Sequence, residues 1–462
     1  MIPKRTEAEP DLFSVSLTQV IHLDHPLVRL AKEFDWEQIR REIEPCFNES
    51  QGRPGAPVRL VIGLFYLKSA FNLSDEQVTD RWLENPYWQW FCGYETMQHQ
   101  MPIDSTTLSR WRVRVGAERL EMLLKQTVEI AQRQRLLRPQ ELNRITVDTT
   151  VQPKAIAFPT DSRLYYKMIR NLVREAMKFG LLLRQTYSRV SKRLLVQQGR
   201  YARARQGKRA RKCQKRLHTI LGRLTRDIAR KLEVHPSRQE AEKLQELLEL
   251  SQRLQEQTRT SSNKIYSVHE PHVECIAKGK AHKKYEFGCK VSVAVTSNNW
   301  VVGVQAVHGN PFDGHTLNRQ IDQVVHLTGV DPEHVLVDRG YRGHQYSRKG
   351  RVHIAGSILK SATRAFRKML KRRSAIEPTI GHLKSDHRLE RNFLQGRLGD
   401  KINALMSGAG YNFRKLLWAL AWAHFYALLR LCYTILSRFG IDRIVHRLAL
   451  PALVRRVAAS GI

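Results

Sequence analysis

The sequence predicts an α+β protein: a helical N-terminal domain, a mixed α/β core interrupted by a basic helical insert, and a helical C-terminus. Three observations carry that expectation. Helical apolar spacing runs through roughly the first 135 residues. Unbroken alternation from Tyr285 to Thr296 marks a β-strand. Between the two strand regions, residues 161 to 260 show no alternation and hold 26 Lys or Arg against 9 Asp or Glu.

Taken in order, Pro57 suits a first helical position, and Leu60, Val61, Leu64 and Phe65 follow on one face. Ser74 with Gln77 reads as a capping box that opens a second helix. Pro102-Ile103-Asp104-Ser105 leads into a helix with Arg110, Trp111, Arg112 and Arg114, and serial short basic helices permit a helix-turn-helix contact with DNA. The same arginines would equally serve to solvate a packing helix. Asn143 to Asp148 alternates as a strand with Asp148 near its end, before Thr149-Thr150. In the insert, Leu244, Leu247, Leu248 and Leu254 recur at helical spacing. Beyond it, Ser297-Asn298-Asn299 turns the strand that ends at Thr296 into a return strand, Trp300 to Val307. Asp313 to Leu327 reads as a helix, and His334 to Asp338 as a short strand ending on an acid. Leu416 to Leu429 is almost wholly apolar but falls short of the roughly 20 residues that a membrane span needs, so it is expected to be a buried helix.

The charge balance narrows the partners. Lys and Arg total 78 against 43 Asp and Glu, a formal charge of +35 in 462 residues. An excess of that size calls for a polyanion, with nucleic acid as the default. About half of it sits in the insert, whose bases would either grip DNA or form the solvated face of a helical hairpin. The six cysteines form no CxxC pair, which suits a reducing compartment, and the first residues carry no apolar signal core, so a cytoplasmic protein is expected. Two histidines and a cysteine in His269-Glu270-Pro271-His272-Val273-Glu274-Cys275, with His282 close by, raise zinc as a rival reading. Their spacing matches no standard finger, and surface or core roles are the commoner use of such residues.

In this basic chain three acids stand out. Asp148 and Asp338 are read at strand ends, and Glu377 lies in Arg373-x3-Glu377-x6-Lys384. In a continuous helix that spacing puts the acid and both bases along one stripe, although Ser374 to Glu377 also reads as a capping box and Pro378 could bend the helix. Singly, each aspartate would be taken for a cap or turn residue. Together, three carboxylates could hold two divalent ions about 3.5 to 4 Å apart, which neutralise a scissile phosphate and activate its attacker. Strand, hairpin, helix, strand, then a helix bearing an acid is the order of a ribonuclease H-like core.

At these residues the chain resembles the bacterial insertion-sequence transposases of the DDE type, whose glutamate region reads Tyr-x2-Arg-x3-Glu-x6-Lys. Arg373, Glu377 and Lys384 match that pattern, while Leu370 stands at the tyrosine position. Val337 to Gly343, Gly309 to His315 and Gly410 to Phe413 are similar to the family in the same order, and the resemblance spans most of residues 20 to 420. It implies a ribonuclease H-like catalytic domain over 139–400 with the insert at about 160–262, after a helical domain over 1–138 and before a helical segment over 401–462. It also implies two Mg2+ ions, with Mn2+ as a substitute, on Asp148, Asp338 and Glu377, and DNA contacts from Arg373 and Lys384 beside those expected of Arg110, Arg112 and Arg114. The implied reaction is metal-dependent cleavage at the terminal inverted repeats and strand transfer into target DNA by a homo-oligomer. A metal-dependent nuclease sharing the core, or a non-catalytic DNA-binding protein derived from a transposase, are the alternatives.

Overall fold

The computed structural model describes residues 15–47, 55–236, 239, 241–258, 260–277, 284–356 and 363–438, with the side chains of 365, 369 and 422–438 left aside. The N-terminal part is helical: α1 (Leu17–Val20), α2 (Pro26–Glu33), α3 (Trp36–Ile43), α4 (Val58–Ala70), α5 (Asp75–Glu84), α6 (Pro86–Phe91) and α7 (Ser105–Arg133). Pro57 proves to be the residue before α4 rather than its first. In α4 only Arg59 and Lys68 escape burial, so it is the central helix of this part, and each fully enclosed aliphatic side chain contributes about 1.5–3 kcal/mol. The Ser74–Gln77 capping box forms in both directions at the start of α5. Asp104 caps α7, which kinks where Gly116 takes φ +77°, a value that L side chains seldom adopt.

A short helix α8 (Pro139–Leu142) leads into the sheet, built from β1 (Arg144–Pro153), β2 (Glu274–Ile276), β3 (Glu286–Thr296), β4 (Val301–Val307), β5 (His334–Val337) and β6 (Arg351–Ile354). β3 pairs antiparallel with β1 on one side and with both β4 and β2 on the other, whereas β1–β5 and β5–β6 are parallel. β1 and β3 lie unusually close at Gly288, where a Cβ would fall 2.0 Å from the Gln152 carbonyl oxygen. Nearly every β3 residue is buried, its polar members included, so this strand is covered on both faces despite its alternating sequence. Asp148 lies in mid-strand, not at a strand end, because β3 supplies partners for β1 as far as Pro153.

The insert forms four helices, α9 (Asp161–Lys178), α10 (Ser188–Arg203), α11 (Gly207–Glu233) and α12 (Glu242–Glu256). They enclose a hydrophobic cluster of their own, which includes Leu172, Leu221, Leu244 and Leu248, with Leu247 packed against it. After β4 come α13 (Leu317–Thr328), α14 (Arg364–Lys371), α15 (Ile376–Ser385) and the long α16 (Gly396–Arg438). The N-terminal helices, the sheet and α16 share one continuous core, in which Phe413 of α16 stacks on Tyr66 of α4 at 5.3 Å. Leu416 and Leu420 are buried in that core as expected, while the side chains from 422 onward lie outside the described residues. Among the described residues no helix is long and apolar enough to cross a membrane.

Candidate active site

The parallel register Arg144↔His334, Ile145↔Val335, Thr146↔Leu336 ends two residues before Asp148 and Asp338, so both acids lie at the same level just past the β1–β5 pairing, and Arg373 reaches both. Backbone amides orient both: Asp148 Oδ1 accepts from Thr149 N at 2.8 Å, and Asp338 Oδ1 accepts from Gly340 N at 2.9 Å as it caps the single turn Arg339–Tyr341. Their other oxygens face a shared cation. Arg373 Nη2 lies 2.8 Å from Asp148 Oδ2 and 3.8 Å from Asp338 Oδ2, and its Nη1 lies 3.3 Å from Glu377 Oε1. Three acids from three distant stretches of chain thus converge on one guanidinium.

The capping box read at Ser374–Glu377 does not form. Ser374 Oγ bonds the Lys371 carbonyl and Ala375 is the N-cap of α15, so Glu377 is left to pair with Arg373. Nor is the helix continuous: a 3-10 turn, Arg372–Ala375, separates α14 from α15. Glu377 and Lys384 both belong to α15, and seven residues keep them on one face. Side-chain exposure rises from 16% at Asp148 through 36% at Asp338 to 63% at Glu377, so the cluster is rooted in the sheet and opens toward solvent. Oxygen ligands of this kind suit hard divalent ions, and the guanidinium already demonstrates that a cation is satisfied there.

Three neighbours escaped the sequence reading. Lys290 Nζ, buried in β3, lies 2.7 Å from Asp313 Oδ1 and 2.6 Å from the Pro311 carbonyl, which ties the loop before α13 to the sheet. Asp313 in turn lies close to the Asp338 turn, since a Cβ on Gly340 would stand 3.0 Å from Asp338 Oδ1 and 3.5 Å from Asp313 Oδ2. The phenol of Tyr341 is fully buried beside them, and burial, reinforced by the charges of Asp148, Asp313 and Asp338, pushes its pKa well up. It therefore stays a neutral hydroxyl next to the acids. Asp313 and Tyr341 both fall in blocks noted for their order, which was the available signal; Lys290 gave none.

The remaining expected residues fare unequally. Leu370 is buried against Leu336. Arg112 is also buried, in an ion pair with Asp75 at 3.0 Å and over the Phe65 ring at 5.5 Å, so the expectation that it reaches DNA is corrected. Burial works to raise the Asp75 carboxyl, but Arg112 and Lys68 outweigh it and hold that group below its ordinary range. Arg110 and Arg114 are exposed on α7, with the Arg114 guanidinium 4.9 Å over the Phe47 ring.

Residues 15–114 match the family described as a transposase domain (DUF772), and residues 264–413 match the family described as a transposase DDE domain. The second match covers Asp338 and Glu377, while Asp148 lies upstream of it across the insert. A protein of Rhizobium meliloti, named an uncharacterized protein ORF8 in the nfe locus, is 50% identical over 207 residues, 45% of this chain and the whole of its own length. No solved structure matches significantly.

Proposed function

We propose, for a chain that belongs to the DDE-type insertion-sequence transposases, that Asp148, Asp338 and Glu377 jointly hold the divalent ions with which it cuts and joins DNA. The observation that carries this reading is the convergence of the three carboxylates on Arg373. The family uses divalent metal ions; two Mg2+, with Mn2+ as a substitute, fit an all-oxygen ligand set. Such ions polarise the scissile phosphate and lower the pKa of the attacking water or 3′ hydroxyl.

The protein's own groups do the rest. Strand pairing and two backbone amides fix Asp148 and Asp338 before DNA arrives, which limits reorganisation during the reaction. Arg373 balances the acids in the free protein, and its planar fork is suited to a phosphate once ions replace it there. Lys384, on the Glu377 face of α15, grips a flanking phosphate, and Arg110 and Arg114 bind DNA through their exposed heads. Tyr341, a neutral phenol, is a hydrogen-bond donor beside the acids.

The strand order β4-β3-β1-β5-β6, antiparallel for the first pairs and parallel for the last, supports a ribonuclease H-like catalytic domain over 139–400. The helical part over 1–138 and the segment over 401–462 flank it, and the insert's separate core supports its reading as a module of its own, whose bases either grip DNA or form a solvated face. Pairing two element ends calls for at least a dimer, acting in the cytoplasm where the DNA is.

The test uses DNA carrying the element's ends, with Mg2+, and compares the intact protein with Glu377→Gln. Cleavage and joining should both vanish in the variant while DNA binding persists. A variant that cuts as the parent does would overturn the assignment, and cutting without joining in the parent would make it a nuclease.

A further inference from the structure

A second ligand cluster lies toward the Pro153 end of β1, away from the acids. Gln152 pairs with Cys289 in the β1–β3 register where Asp148 pairs with Val293, so the two places are four residues, about 13 Å, apart along the strand. The β3–β4 register Lys290↔Val307, extended by one residue, brings His308 against Cys289. Asp400 enters from near the start of α16, and the ligand atoms of Cys289, His308 and Asp400 all lie within 4.8 Å of one another. Cys289 is 2% exposed and Asp400 3%.

A fourth ligand comes from the loop before β2. His272 Nε2 is 3.5 Å from Asp400 Oδ2, and His308 Nε2 is 3.2 Å from the same oxygen. Four ligands at bonds of about 2.0–2.3 Å around tetrahedral zinc stand about 3.3–3.8 Å apart, so the His272 separation falls within that range and the His308 separation just short of it. The two imidazoles are not equivalent as things stand: His308 meets hydrogen-bond geometry with Asp400, whereas His272 Nε2 lies 3.2 Å from Glu270 Oε2 and 3.5 Å from Asp400 Oδ2 without meeting it. In the tautomer that carries its proton on Nδ1, that nitrogen turns a lone pair toward the carboxylates, where a metal ion would join them. The surroundings are acidic on balance, since Glu270, Glu274 and Asp400 outnumber the buried ammonium of Lys154 and the exposed Arg397. Glu274 Oε1 accepts from Gly309 N, while its buried Oε2 has no hydrogen-bond partner among the described residues.

We propose that Cys289, His308, Asp400 and His272 bind a zinc ion in a closed tetrahedral site that ties the far end of the sheet to the start of α16. Asp400 Oδ1 is already held by Lys154 Nζ and Asn392 Nδ2, both at 2.7 Å, which leaves Oδ2 for the metal. Gln152 Nε2 donates to Cys289 Sγ at 3.6 Å, the kind of outer bond that steadies a thiolate ligand. Binding releases the thiol proton to solvent. The site differs from the one that the local His269-x2-His272-x2-Cys275 spacing suggested. His269 bonds Ser267 and Cys275 lies against Tyr266, while His282 is outside the described residues.

The experiment strips the full-length protein with a chelator and titrates it with Co2+. The expected spectrum has a thiolate-to-cobalt charge-transfer band and intense tetrahedral d–d bands that saturate at one ion per chain and are erased by Zn2+. The charge-transfer band should disappear in Cys289→Ser and persist in Cys275→Ser and in Glu377→Gln, which separates this site from the three acids. Absence of the band in the parent, or its survival in Cys289→Ser, overturns the proposal. X-ray absorption on the zinc-loaded parent requires no variant: one sulfur in the metal's shell is expected, and a shell of nitrogen and oxygen alone overturns it.

Discussion

If Asp148, Asp338 and Glu377 hold the metal as proposed, Arg373 and a divalent ion compete for the same oxygens in the free protein, so Arg373→Ala should bind metal more tightly while losing activity. Of the three contacts only that to Asp148 is both short, at 2.8 Å, and shielded, with the side chains 15% and 16% exposed. A charge-assisted bond of that kind is worth about 1.5–3 kcal/mol. The contacts to Asp338 and Glu377, longer and more exposed, add less than about 1 kcal/mol. At 1.4 kcal/mol per tenfold, the variant should bind Mn2+ roughly tenfold to a hundredfold more tightly without DNA. Arg373→Lys should fall between, since an ammonium keeps the charge but not the fork. The free Mn2+ signal in electron paramagnetic resonance reads the affinity, and cleavage of an element end reads the activity. Unchanged or weaker Mn2+ binding in Arg373→Ala would refute the idea that the guanidinium holds the metal's place.

Lys154→Met should destabilise the fold by about 3–5 kcal/mol, seen as a lower urea midpoint, because it strands the buried carboxylates of Asp400 and Glu270 without their ammonium; an unshifted midpoint would contradict this. His387 donates from Nδ1 to the Ser69 carbonyl. Burial lowers its pKa to about 4, against the pull of that carbonyl. Because the folded pKa lies below the unfolded value of about 6.5, the unfolded chain takes up the proton first, and stability is lost as pH falls from about 6.5 toward 4, by roughly 3 kcal/mol. His387→Asn should flatten urea midpoints measured across that window, and an equally steep loss in the variant would place the titrating group elsewhere. On α11, Arg223, Arg226 and Arg230 are exposed and line a cleft with Arg184. Replacing the three with Ala should lower the slope of log affinity for DNA against log salt by roughly 0.9 for each phosphate that these arginines neutralise, whereas an unchanged slope would mean that this charge faces elsewhere.

The sequence made legible what is set locally. The β3 alternation, the turn at Asn299, the Ser74–Gln77 box and the helical insert all follow from neighbours in the chain. Partners from afar decided the rest. Arg112 has the surroundings of a solvated arginine in sequence, but Asp75, 37 residues away, draws it inward. Thr149-Thr150 suggests the end of a strand, yet β3 carries β1 on to Pro153 and leaves Asp148 in its middle. Glu377 has the spacing of a capping residue, and Arg373 claims it instead. The order of blocks similar to the family pointed to the loops that hold Asp313 and Tyr341 without saying that they would meet the acids. The cysteine–histidine cluster is assembled from β3, the residue after β4, α16 and a loop, so no window of the sequence contains it.

The most direct test of the account replaces Mg2+ with Fe2+ and supplies ascorbate and peroxide, so that hydroxyl radicals cut the backbone beside the bound ion. If Asp148, Asp338 and Glu377 share the metal, fragments should end near all three positions in the parent and vanish together in Asp148→Asn. Cuts confined to other parts of the chain, or cuts near Asp338 and Glu377 that survive Asp148→Asn, would contradict the shared site.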